Sequence, residues 1–196
     1  MATEKKKRLV TPEGIACFVH VFEPHAQKRE DGTKGDPKYS VLLVFPSKEA
    51  IKELRRECMA AATAKFGEEK WRALLKKGKF RFPWRPATDY DEYGPPFDDE
   101  NAVFCIFSSK DQPDVVDRRA KPVMKQKEIY SGMKARVSYG VWPYDTNGNK
   151  GVTLFLNNLQ KTDDGEKLAG RSSGEDDFEP VEGEDGSDDD EDDGDI

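Results

Sequence analysis

The sequence predicts a mainly β domain with one main helix, α+β in class, set between a basic N-terminal arm and an acidic C-terminal tail. Three observations predict it. Runs of strand length with apolar residues in alternation recur between residues 10 and 171, one longer stretch carries the 3.6-residue apolar period of a helix, and the terminal acids are segregated from the rest. The chain's 196 residues suffice for one domain with a real core and are too few for two ordinary domains plus a tail. The expected division is a flexible basic arm over residues 1–9, a folded domain over 10–171 and a tail over 172–196.

The elements follow in order. From Gly14 to Phe22, Ile15, Cys17, Val19 and Val21 alternate with Ala16, Phe18, His20 and Phe22, a pattern for a strand covered on both faces. The polar, turn-rich segment Pro24 to Pro37 leads into a second strand, Lys38 to Phe45. Pro46 ends it, and Ser47 is placed to cap a helix in which Ile51, Leu54, Cys58, Ala61 and Ala62 share one face as far as about Phe66. A shorter helix, with Trp71, Leu74 and Leu75 inward, stops at Gly78. Residues 79–101 carry Pro83, Pro86, Pro95 and Pro96, which forbid a continuous helix or central strand, and a loop of this length is usually functional. Strands resume at Ala102 to Ser108, around Val123 to Tyr130, and at Met133 to Tyr144. In the last of these the apolar Ala135, Val137, Tyr139 and Val141 oppose Lys134, Arg136, Ser138 and Gly140. The Asn147-Gly148 step marks a hairpin whose return strand is Val152 to Leu159. The count is five or six strands, with the main helix after the second.

The net charge of −7 hides a division. Residues 172–196 hold 14 of the 39 acidic residues and no Lys or Arg, so the first 171 set all 32 basic residues against 25 acidic ones and carry +7. With only Phe178, Val181 and Ile196 to bury, the tail is expected to be disordered. Cys17, Cys58 and Cys105 are widely spaced and read as reduced core residues of an intracellular protein. No segment has the length of a membrane helix or the form of a signal peptide, and no membrane partner is expected.

Several chemistries lack their residues. His20 and His25 are the only histidines, and their spacing is not that of a zinc-binding helix. No phosphate-binding loop, dinucleotide fingerprint or nucleophile elbow occurs. No cofactor is expected. The acids Asp89, Asp91, Glu92, Asp98, Asp99 and Glu100 are the one set from which a metal-dependent nuclease would be built, but they lie on a proline-rich loop rather than on rigid elements.

Basic and aromatic residues, by contrast, interleave. Lys79, Arg81 and Arg85 alternate with Phe80, Phe82 and Trp84, followed by Tyr90 and Tyr93; Lys134 and Arg136 share a strand with Trp142 and Tyr144. Cations neutralise phosphates while ring faces take unstacked bases, the combination a single-stranded nucleic acid needs. Lys79, Arg81, Trp84, Arg85, Tyr90, Tyr93, Lys134, Arg136, Trp142 and Tyr144 are therefore the candidate contacts, with Phe80, Phe82 and Phe97 divided between core and interface. The matching architecture is a five-stranded barrel of the OB type, whose strand face and loops bind single strands. A tethered polyanion beside a basic groove competes with nucleic acid for it, and its displacement exposes a docking peptide to partners. The residues assigned to that docking are Asp188, Asp189, Asp190, Glu191, Asp192, Asp193, Asp195 and Ile196.

Pro113 to Asp117, Ile129-Tyr-Ser-Gly132, Gly151 to Gln160 and Asp164-Gly-Glu-Lys-Leu168 also resemble a family, the phage-encoded single-stranded DNA-binding proteins with an OB-fold and an acidic tail. The resemblance covers most of the chain from about Val10. It implies a non-enzymatic protein that coats single-stranded DNA, without sequence preference, in phage replication, recombination and repair. It also implies replication or recombination partners for the tail and residence in the cytoplasm of the infected bacterial host. The chain is similar as well to the replication-type binding proteins of short-tailed coliphages, which implies homodimerisation through the tail; their tails end on an aromatic residue, where this chain has Ile196. The competing readings are an acidic interaction protein or DNA mimic that acts through its tail, and the metal-dependent nuclease.

Overall fold

A computed structural model of the chain describes residues 9–26, 32–146 and 148–168. The basic arm before Leu9 and the whole acidic tail, with the eight docking residues named above, lie outside the described residues. The elements are β1 (Leu9–Val10), β2 (Gly14–His25), β3 (Lys38–Phe45), α1 (Lys52–Phe66), α2 (Glu68–Lys76), β4 (Phe80–Arg81), β5 (Trp84–Pro86), β6 (Val103–Ser109), β7 (Asp114–Val116), β8 (Lys134–Thr146) and β9 (Asn149–Asp163). The fold is mainly β, with its long helix between β3 and β6. None of the described helices is long and apolar enough to cross a membrane.

The five long strands pair in a circuit. β2 is antiparallel to β3, β3 to β6, β8 to β9 and β2 to β8, while β6 runs parallel to β9. The joints differ in strength: β8 and β9 are registered from Lys134 to Thr146, whereas β6–β9 and β2–β8 are held by two registered pairs each. β1 adds to β8 at Leu9↔Tyr139 and Val10↔Ser138, and Thr11 locks it there, its N–H donating to the Val137 carbonyl and its Oγ1 accepting from the Val137 N–H. Beyond Tyr139 the outer edge of β8 has no partner strand among the described residues. Pro143 lies on that stretch, and its carbonyl accepts from Lys65 Nζ at 2.8 Å.

Burial sorts into two layers. Inside the circuit, Ala16, Val21, Val41, Leu43, Phe45, Cys105, Phe107, Val137 and Leu154 pack with Leu54, Cys58 and Ala62 of α1 and Trp71 of α2. Outside it, Cys17, Leu42, Val44 and Phe104 form a second layer under Ala87, Phe97 and Ala102, so the proline-rich loop is a lid over β3 and β6. The three cysteines are free and buried, and burial pushes the Cys17 and Cys58 thiols up to about 12 and raises Cys105 as well.

Three expectations are corrected. The stretch Val123 to Tyr130 is not a strand: the one bridge, Val116↔Pro122, falls just before it, and it holds a 3₁₀ turn at Gln126–Glu128, while Val123, Ile129 and Tyr130 pack on the core between outward lysines. The strand here is β7, which runs parallel to β9 at Asn158–Gln160. Ser47 caps the turn before the helix, accepting from the Ala50 N–H at 3.3 Å, and α1 starts at Lys52. Leu75 stays 43% exposed, because nine residues of α2 turn only Trp71 and Leu74 towards the core.

Leu43 is fully buried at the centre of β3. Leu43→Ala is expected to cost about 2–5 kcal/mol, read as a lower urea midpoint with an unchanged denaturant slope.

Candidate nucleic-acid interface

The feature that shapes the surface is a bulge in β2. Its pairing with β3 runs Ile15↔Val44, Ala16↔Leu43, Cys17↔Leu42, and then shifts by one residue before His20↔Ser40. Phe18 occupies the shift with φ at 48°, a left-handed conformation that costs a bulky residue about 1–2 kcal/mol. The extra residue swaps the faces of the strand: Ile15 and Cys17 belong to the outer layer, Val19 and Val21 to the inner core. His20 is thereby released outward.

Phe18 is 39% exposed. Its ring lies 5.4 Å edge-on to Tyr93, 6.1 Å from Tyr90 and 6.2 Å from Phe97. Across a hollow of about 180 Å³, lined also by Ser40, Leu42 and Ile106, stand His20 and His25, their rings stacked at 4.4 Å and 13°. A second hollow of about 270 Å³ continues past His25 to Asp36, Lys38 and Ser108. The floor of this trough is the outer face of β3 and β6, where the lid has stopped and Ser40 lies opposite Ser108. Aromatic faces form one wall, two stacked imidazoles the other, and small side chains leave the strands accessible between them.

The ten residues expected from the sequence fall into separate groups. Tyr90 and Tyr93 line the trough, and Arg85 sits over the Phe104 ring at 5.5 Å while paired with Asp89 at 2.6 Å. Trp84 is half-buried, stacked at 4.4 Å on Phe82 with the Arg55 guanidinium 5.6 Å away. Lys79 and Arg81 are exposed around β4, where Arg81 pairs with Gly151, the residue against the Tyr144 ring. Trp142 is 57% exposed beside Phe155 and Lys65. Lys134 and Arg136 are exposed at the start of β8, and Arg136 Nε donates to Gln160. Phe80 and Phe97 are core.

Sequence reasoning missed Phe18, His20, His25, Ser40 and Ile106. The available signal was a strand whose alternate positions carry Phe18, His20 and Phe22, followed by a second histidine at His25. Among the described residues no group of three or more His, Cys, Asp or Glu is placed to hold a metal ion. The loop acids are spread out, with Asp89 on Arg85 and Asp99 accepting from the Asn101 N–H.

A protein-family model described as the single-stranded-DNA-binding protein of Enterobacter phage Enc34 matches residues 7–193. No curated protein matches in sequence. Among solved structures, the single-stranded DNA-binding protein from bacteriophage Enc34 in complex with ssDNA superposes with a TM-score of 0.64 at 20% identity, covering 83% of this chain and 89% of that one. A second structure of the single-stranded DNA-binding protein from bacteriophage Enc34 gives 0.61 at 18%, covering 88% and 90%. Bacteriophage T7 gp2.5, a single-stranded DNA binding protein, gives 0.55 at 18%, covering 87% and 99%. At these identities the structural matches carry the fold.

Burial, and after it the charge of His25, lowers the His20 pKa. The unfolded chain therefore takes up this proton before the folded one, so stability declines as pH falls through the ordinary histidine range towards the lower folded value. Urea unfolding at about pH 7.5 and about pH 5.5, either side of that range, is expected to show a smaller loss for His20→Gln than for the parent. Equal losses would mean that the imidazole is as well solvated folded as unfolded.

Proposed function

The chain belongs to the family of the Enterobacter phage Enc34 single-stranded-DNA-binding protein, and from that premise we propose that it binds single-stranded DNA without sequence preference along the trough on β2, β3 and β6. The observation that carries the reading is the trough itself. We read the five-strand circuit as an OB-type barrel, in which β2, β3, β6, β8 and β9 are strands one to five, and the second and third strands of that fold are the ones that present a binding face. Here those strands are β3 and β6.

In this reading Phe18, Tyr90 and Tyr93 stack on bases, whose π-faces are common to all sequences. The His20–His25 pair, Lys38 and Arg85 face phosphates. Lys79, Arg81, Trp142 and Tyr144 extend the path along the β8–β9 hairpin, since the loop joining strands four and five also contributes to such interfaces. Lys134, Arg136 and Trp84 lie apart from the trough and have no place in this path. The protein acts by binding, in replication, recombination and repair of phage DNA. The acidic tail competes with the strand for the basic domain and, once displaced, docks replication proteins through Asp188–Asp193, Asp195 and Ile196.

Binding of a fluorescent oligo-dT tests both halves. Phe18→Ala and Tyr93→Ala are each expected to cost about 1–3 kcal/mol of affinity, roughly 5- to 150-fold, with native thermal melts. Undiminished affinity in a folded Phe18→Ala protein would remove the trough from the path. A tail-neutralised chain carrying Asp188→Asn, Asp189→Asn, Asp190→Asn, Glu191→Gln, Asp192→Asn and Asp193→Asn is expected to bind more tightly at low salt, with the gain fading as salt rises. No gain would mean that the tail does not compete.

A further inference from the structure

Two sequence motifs far apart in the chain meet at one place. The turn Ile129-Tyr130-Ser131-Gly132 and the segment Asp164-Gly165-Glu166-Lys167-Leu168 are packed backbone to backbone. A Cβ on Gly132 would stand 1.7 Å from the Glu166 carbonyl oxygen, and one on Gly165 would stand 2.1 Å from the Gly132 carbonyl oxygen. Gly132 has φ at 109°, so both its conformation and its surroundings require glycine. The Tyr130 hydroxyl is 2.8 Å from Asp164 Oδ1, to which it donates, and accepts from the Gly165 N–H at 3.1 Å. Lys161 Nζ is 2.7 Å from the same carboxylate, donates to the Glu128 carbonyl at 2.8 Å and lies 5.0 Å over the Tyr130 ring. The Leu168 N–H donates to the Ser131 carbonyl at 2.9 Å, and the Gly132 N–H ties the turn to Ala16 of β2 at 2.7 Å.

β9 ends at Asp163, so nothing in the sheet requires the next five residues to be held. They are held nonetheless, and in one direction. Leu168 packs against the outer apolar layer, the layer that also carries Tyr90 and Ile106 of the trough. Seven positions later comes Glu175, the first acid of the tail. Fully extended, seven residues span roughly 25 Å, so the acids begin within reach of the trough.

The geometry points to this clasp as a positioning device that roots the acidic tail at the edge of the trough and so sets how strongly the tail competes there. The inference rests on the reading of the tail as a competitor for DNA. For a tethered ligand, competition scales with effective concentration, which depends on where the tether starts and how long it is. Releasing the clasp moves the root back to Asp163 and adds five residues of slack. The hold is charge-assisted as well as steric: Lys161, and after it Tyr130, keeps the Asp164 carboxyl below the usual carboxylate range.

The test is a comparison of backgrounds in the full-length protein. Tyr130→Phe removes the hydroxyl that holds Asp164 and Gly165 but keeps the ring, and Leu168→Ala removes the apolar root by an independent route. Each is made in the parent and in the tail-neutralised chain, and oligo-dT affinity is measured at low salt. Both are expected to tighten binding about two- to fourfold in the parent and by less in the tail-neutralised chain, which keeps the acids from Glu175 to Asp185. A spin label placed at Ser187→Cys should broaden the Phe18 and His20 amide signals in the parent and broaden them less in Tyr130→Phe. Equal effects in the two backgrounds would show that the clasp acts on the interface itself and overturn the inference. A tail whose neutralisation tightens binding but ignores both variants would overturn it while leaving the competition reading intact. A tail whose neutralisation changes nothing overturns both.

Discussion

Strand β3 has no polar side between Val41 and Phe45, where five consecutive residues are buried, and the rest of the domain is arranged to cover both faces of it. The inner face is closed by α1, β8 and β9. The outer face cannot be closed by another sheet, and the chain uses the proline-rich loop, laying Ala87, Phe97 and Ala102 over Leu42, Val44 and Phe104. Burying a second apolar layer in this way contributes on the order of 25 cal/mol for each Å² removed from water. The lid reaches only as far as the apolar run. Where β3 turns polar, at Ser40, the strands emerge uncovered, and that boundary is where the trough begins.

Much of this was legible in the sequence. Both long strands at the start, the helix, the hairpin at Asn147-Gly148 and the division of charge were read from period and composition, because each is a local property. The bulge was not. The set Ile15, Cys17, Val19, Val21 looks like one face of one strand, and a single left-handed residue at Phe18 splits it between two layers. Nothing in the alternation marks where the extra residue falls, so the outward turn of His20, and of His25 after the second register shift, is not legible in the pattern.

The dispersal of the ten expected contacts has a related cause. Interleaved cations and rings are a composition, and composition does not report which rings the fold needs. Phe80 goes into the core and Phe82 stacks under Trp84 because α2 ends beside them; Tyr90 and Tyr93 reach the trough because the 3₁₀ turn Ala87–Tyr93 is pinned by buried Ala87. The motif Ile129–Gly132 and the motif Asp164–Leu168 carry information of another kind. Separated by more than thirty residues, each is unremarkable alone, and only their mutual packing explains why glycine is required in both.

The outer edge of β8 beyond Tyr139 bears on how molecules of this kind behave when crowded side by side on a long polymer. A strand edge without a partner, as this one is among the described residues, is a template for sheet extension between molecules. Here Pro143 has no N–H to offer, and its carbonyl is already occupied by Lys65, so a neighbour's strand would find the ladder interrupted midway. Side-by-side packing along DNA then gives no continuous sheet across this stretch of β8.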